Sequence, residues 1–193
     1  REGVGDLESE RRVGDVVDRV SRRQVVGDEL ELERGVRRDI QTLIDITRIQ
    51  GLDLAYVKPH GALYNDMMAK DAVREPIMQA IGSYHRPIHL MLQATPQADQ
   101  HRSEAAKHGI ELWFEAFADR CYDDDGKLLA RSKAGAVHTR EKMLAQVEQI
   151  CREGSVTSVS GHTLELKPDT LCVHGDNDEG VAAIKEIRQL IHA

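Results

Sequence analysis

Three short segments carry side chains able to do chemistry. Lys58, His60 and Asn65 lie in the run Tyr56-Val57-Lys58-Pro59-His60-Gly61-Ala62-Leu63-Tyr64-Asn65-Asp66. An ammonium can hold a carboxylate or phosphate, and an imidazole exchanges protons near neutral pH. Glu115, Asp119 and Arg120 follow one another closely in a second segment. A carboxylate there is a candidate base, an activator of water, or the partner that orients Arg120. His174 and Asp176 form the third group, in His174-Gly175-Asp176. Each has a plainer reading: Pro59 and Gly61 can serve a tight turn, Asp119 and Arg120 can be a surface pair, and His174 can bond its own turn.

Each group follows an apolar stretch with strand character. Residues 52–57, 87–92, 110–118 and 170–173 read as buried strands. Helical periodicity marks 28–50, where Leu30, Leu32, Val36, Ile40, Leu43, Ile44 and Ile46 recur at spacings close to one turn, with Gly51 as the stop. Further helices are predicted over 67–81, over 96–108 with Gly109 as C-cap, over 139–152 and over 177–192. In the fourth of these five helices, Thr139 is the N-cap and Met143, Leu144, Val147 and Ile150 face inward. Asp123-Asp124-Asp125-Gly126-Lys127 signals a turn, and 156–166 a hairpin around Gly161. Alternating strands and helices predict βαβ units and a parallel sheet. Strands in such a sheet present their C-terminal ends at one mouth, where the three groups are expected to meet.

Composition narrows the function. The chain of 193 residues, 40% hydrophobic and 31% charged, fits one soluble domain over 1–193. Its net charge of −7 argues against nucleic-acid binding, because no basic field offsets phosphate repulsion. The local cluster Arg11, Arg12, Arg19, Arg22 and Arg23 is diluted by Asp15 and Asp18 and reads as a solvated face. No apolar run is long enough to span a membrane and no signal peptide is evident, so a cytoplasmic location is expected. Cys121, Cys151 and Cys172 form no CxxC pair and read as reduced thiols. His101, His108, His138, His162 and His192 match no zinc spacing and are taken as surface residues, and no metal is expected. No GxGxxG or GxxxxGK[ST] loop occurs.

The chain resembles the LamB/YcsF family in three ordered segments. These are Val57 to Asn65, Glu115 to Tyr122 continuing through Asp125-Gly126-Lys127-Leu128 to Arg131-Ser132-Lys133-Ala134-Gly135-Ala136, and Leu171-Cys172-Val173-His174-Gly175-Asp176. The resemblance runs from about Leu30 to the C-terminus, with 1–27 poorly matched. It implies an irregular TIM-like β/α barrel, similar to the glycoside hydrolase/deacetylase barrels. It implies the A component of an ATP-dependent 5-oxoprolinase, which opens 5-oxo-L-proline to L-glutamate together with the B and C subunits as partners. ATP is the implied co-substrate, with Mg2+, and homo-oligomers are compatible with this reading. Lys58, His60, Glu115 and Asp119 become candidate catalytic residues, and Asn65, Arg120, Arg131, His174 and Asp176 candidate substrate contacts, with Arg120 and Arg131 offering anion contacts.

Parts of the family pattern are not matched. An opening strand with Asp-Leu-Asn-x-Asp-x-Gly-Glu, an Asn-x-Ala-Cys-Gly-x-His-Ala-Gly-Asp segment and a Gly-Ala-His-Pro stretch have no counterpart, and Leu90-Met91-Leu92-Gln93-Ala94-Thr95 stands where the family tends to be Gly-rich. The expectation is that early strands of the barrel are missing from this chain. Two other function classes stay open: a metal-dependent deacetylase-like hydrolase of a sugar or amide, and a non-catalytic scaffold component.

Overall fold

The computed structural model describes residues 29–192. The predicted start of the first helix at residue 28, the basic cluster Arg11 to Arg23 and the poorly matched segment 1–27 lie outside the described residues, the first helix being described from Glu29. The elements in chain order are α1 (Glu29–Ile49), β1 (Tyr56–Val57), α2 (Gly61–Ala69), α3 (Asp71–Gly82), β2 (His89–Gln93), α4 (Ala98–Ala106) and β3 (Leu112–Phe117). They are followed by α5 (Arg140–Glu153), β4 (Ser155–Thr157), β5 (Thr163–Glu165), β6 (Thr170–Cys172) and α6 (Asp178–Ile191). The main sheet has the order β1-β2-β3-β6, and β4 pairs with β5 in a separate antiparallel hairpin. Pairing is parallel for β1 with β2 and for β3 with β6. This is the alternation of the β/α-barrel class, with four sheet strands among the described residues where a closed barrel has eight.

The chain divides into two compact units. The first comprises the described residues up to Met91 together with 104–112. Its α1 carries Glu29 and Glu31 in the first turn and Arg48 in the last, the charge order that a helix dipole favours. Gly51, at φ 70°, ends it, and the Leu52 N–H returns to Thr47 O at 2.9 Å. Ile40 and Ile44 on α1 are buried, as are Ile77, Met78, Ala80 and Ile81 on α3, against which α1 packs. Arg74 is buried with them. Its guanidinium donates to Glu104, to Asp71 and to the Met67 carbonyl, so the charge enters the interior paired.

Two expectations shift here. Residues 52–57 form a strand only at Tyr56–Val57, and Leu52 and Tyr56 are exposed. The single helix predicted over 67–81 is two helices, α2 and α3, parted at Lys70, whose backbone is extended at φ −135° and ψ 120°. α2 begins directly after His60. Gly61 has φ 60°, a conformation that glycine adopts at little cost, and it opens α2 with only Lys58, Pro59 and His60 between the strand and the helix.

The second unit comprises 92–103 and the described residues from Trp113 onward. Met143 and Val147 of α5 pack with Ala183 and Ile187 of α6 and with Ala118, and Leu144, Leu171, Val173 and Leu190 close over them. Each large apolar side chain so buried contributes about 1.5–3 kcal/mol. The 123–127 turn forms as predicted. The Asp123 carboxylate accepts from the N–H groups of Asp125 and Lys127, and Gly126 sits at φ 81°. A side chain there would be strained by that φ, and its Cβ would fall 2.7 Å from Pro96 Cδ. Thr139 has extended N-cap geometry, but its side chain makes no capping hydrogen bond. The N-terminus of α5 is instead met by Glu179, whose carboxylate accepts from the Arg140 N–H at 3.0 Å.

Candidate functional site

Strands β3 and β6 run parallel with Phe117 opposite Cys172, and the Ala118 N–H donates to Cys172 O at 2.9 Å. Two residues beyond that register stand Asp119 and His174. The parallel ladder therefore delivers a carboxylate and an imidazole side by side. His174 Nδ1 lies 3.0 Å from Asp119 Oδ1 and 3.1 Å from Oδ2. An ionised carboxylate only accepts, so Nδ1 carries the proton and Nε2 is the basic nitrogen. The Asp119 side chain is 1% exposed and the His174 side chain 25%, so the acid is inside and the imidazole reaches solvent. The Phe117 ring stacks on the His174 ring, with centroids 5.2 Å apart and planes 18° from parallel.

Burial pushes the Asp119 carboxyl up, but hydrogen bonds from His174 and Asn177 and the nearby imidazole outweigh it and hold the group below the usual carboxylate range. Asn177 serves twice. Its Nδ2 donates to Asp119 Oδ2 at 3.3 Å, and its Oδ1 accepts from the Gly180 N–H as the N-cap of α6. A buried aspartate hydrogen-bonded to the Nδ1 of a more exposed histidine is the arrangement that fixes an imidazole's tautomer and steadies its charge when Nε2 takes a proton.

Arg120 is turned inward. It is 6% exposed, and its guanidinium donates to Ala136 O at 3.2 Å and Leu129 O at 2.6 Å. It thereby ties the excursion after β3 back to its root, beside the buried cluster Cys121, Leu129 and Ala136. The Asp119–Arg120 pair is buried, so the plainer reading of the two as a surface ion pair does not hold. Arg131 is exposed and makes a two-pronged ion pair with Asp176, at 2.5 and 3.3 Å. Arg131 and Asp176 line an open cleft of about 500 Å³ together with Asp119, Val137, His138, Thr139, Asn177, Asp178 and Glu179.

The second unit thus brings together Asp119, Arg131, His174 and Asp176. Glu115 lies in the same unit on β3, buried at 1% exposure. Lys58, His60 and Asn65 belong to the first unit. Lys58 follows β1 with its ammonium 5.8 Å above the centre of the Tyr64 ring. His60 is the N-cap residue of α2, without a side-chain capping bond, and Asn65 is exposed on α2.

Sequence reasoning misses three residues of the Asp119 surroundings: Asn177, Gln146 and His138. Gln146 gives no signal, being a polar residue within an amphipathic helix. His138, expected at the surface, is half-buried and bonded through Nε2 to Gln146 Oε1 at 3.1 Å, and burial lowers its pKa. His101, also expected at the surface, is buried at 6% exposure. No group of three His, Cys, Asp or Glu side chains suited to a metal occurs among the described residues. Likewise, no described helix is long and apolar enough to cross a membrane.

Comparison with known proteins adds a family to this geometry. The LamB/YcsF family model matches residues 17–193, beginning earlier than Leu30. A protein from Pseudomonas fluorescens, named as the A component of 5-oxoprolinase, is 43% identical over 172 residues, covering 89% of this chain and 69% of that one. A namesake from Vibrio vulnificus is 40% identical over 171 residues, covering 88% and 68%. A crystal structure of a lactam utilization protein from Thermus thermophilus superposes with a TM-score of 0.76 at 28% identity, over 87% of this chain and 67% of that one. The chain therefore spans about two thirds of the length of these relatives.

Proposed function

The chain belongs to the LamB/YcsF family, and from that premise we propose that it is the A component of a 5-oxoprolinase, opening 5-oxo-L-proline to L-glutamate with ATP as co-substrate and the B and C subunits as partners. The observation that carries the proposal is the Asp119–His174 pair, at the C-terminal ends of two adjacent parallel strands and beside an open cleft. Lactam opening needs water to lose a proton as it attacks the ring carbon, and the departing ring nitrogen to gain one. His174 Nε2 takes the proton from water. Asp119 steadies the imidazolium that results, and the same nitrogen returns the proton to the leaving amine. Arg131, at the rim of the cleft, is placed to meet a carboxylate or phosphate in exchange for Asp176.

An unstrained amide resists water at neutral pH; a phosphoryl group passed from ATP to the lactam oxygen, leaving ADP, would make the ring carbon electrophilic, and after water adds and the C–N bond breaks, the resulting acyl phosphate would yield glutamate and inorganic phosphate with a second water. The described residues hold no phosphate-binding glycine loop and no trio of metal ligands. Lys58, His60 and Asn65, on the first unit, are proposed as contacts to an anionic or lactam group.

The test is release of glutamate from 5-oxo-L-proline by the full-length protein combined with its B and C partners. Turnover that needs ATP and all three components is the expected result. Their failure to release glutamate under any combination would overturn the proposal.

A further inference from the structure

Four consecutive backbone carbonyls surround Asp119, and two side-by-side residues outside the strand hold all of them. Gln146 Nε2 donates to Phe117 O at 2.8 Å, Ala118 O at 3.2 Å and Arg120 O at 2.9 Å. The backbone N–H of His138 donates to the remaining one, Asp119 O, at 2.9 Å. Gln146 is 6% exposed on α5, so these bonds are shielded from water. Three carbonyls around one amide nitrogen settle which end of the carboxamide is NH2. Gln146 Oε1 is then an acceptor, and His138 Nε2 must carry a proton to meet it. His138 therefore orients the amide, and the amide clasps the turn.

The clasp reaches both members of the pair. It grips the backbone on either side of Asp119, and it grips Phe117, whose ring is stacked on His174. We propose that Gln146 is a positioning residue, which fixes the Asp119–His174 geometry and hence the Nδ1–H tautomer of His174, with His138 locking its orientation. The catalytic consequence rests on the function proposed above; the structural one does not.

The test separates the two. In Gln146→Met, a side chain of similar length without donors, the tautomer of His174 is read by nitrogen-15 NMR of histidine-labelled full-length protein, with its signal assigned by loss in His174→Gln. The expected result is a shift from predominantly Nδ1–H toward a tautomer mixture. With the B and C partners, kcat should fall by about 10²-fold with KM little changed, the cost of roughly 1 Å of misplacement. His138→Leu, which removes only the orienting donor, should move the tautomer in the same direction, and His138→Gln, which restores a donor, should reverse the change. If Gln146→Met does not fold, the His138 pair decides. An unchanged His174 tautomer in folded Gln146→Met or His138→Leu would overturn the inference. A shifted tautomer with no 5-oxoproline turnover in any form would leave the positioning role standing and remove the proposed function.

Discussion

Replacing Asp119 by asparagine keeps the shape of the side chain and removes what the site depends on. Two donors converge on this carboxylate: His174 Nδ1, within 3.1 Å of both oxygens, and Asn177 Nδ2, at 3.3 Å from Oδ2. An amide has one oxygen, so it can satisfy one donor and must present its own NH2 to the other. If the NH2 faces His174, Nδ1 becomes the acceptor and the proton moves to Nε2, the nitrogen required as the base. If it faces Asn177, two donors collide in a pocket where Asp119 is 1% exposed. The wrong-tautomer outcome in an Asp–His pair costs up to about 10⁴ in kcat. A loss of about 10³–10⁴ is expected here, about 4–5.5 kcal/mol of barrier. Folding should weaken by about 1.5–3 kcal/mol, the worth of a hydrogen bond to a charged group. The assays are glutamate release with the B and C partners and urea unfolding of the chain. A variant as active as the wild type would refute the reasoning, whatever its stability.

The pKa of Asp119 is lower in the folded chain than its ordinary unfolded value of about 3.9, so its stabilising contribution is complete above that value and is lost as pH falls through the lower folded one. In urea titrations the stability gap between wild type and Asp119→Asn should therefore close as pH falls below about 4. In Gly82→Ala the new Cβ would lie 2.4 Å from the His108 carbonyl oxygen, so the backbone must shift, and a loss of about 1–3 kcal/mol is expected by urea unfolding. A Lys58→Ala, His60→Ala double variant should impair the proposed ATP-dependent turnover of 5-oxo-L-proline; normal kinetics would remove both residues from the proposed roles.

The sequence reveals the sheet more readily than the turns between its elements. The alternation of apolar runs with amphipathic segments is a property of burial, so β2, β3, β6 and the helices α1, α5 and α6 are readable from it. The break at Lys70 is not, because the apolar periodicity continues across it from Met67 to Ile81 with no glycine or proline at the joint. Asp119 and His174 stand out as polar residues after apolar strands. Their pairing depends on the β3–β6 register, which is set by long-range hydrogen bonds between segments more than fifty residues apart. Arg120 misleads in the other direction. An arginine beside an aspartate suggests a surface pair, whereas two backbone carbonyls offset the cost of burying this one. Gln146 carries no signature at all, since its role comes from three carbonyls of a turn that only the folded chain assembles.

That His174 moves the proton in lactam opening is tested most directly by His174→Gln in the full-length protein with its B and C partners. Assembly is checked by gel filtration, and glutamate release is measured at saturating 5-oxo-L-proline and ATP. Intact assembly is expected, with a kcat lower by about 10²–10⁴, the contribution of a general acid–base group. An assembled His174→Gln complex that turns over like the wild type would contradict the assignment.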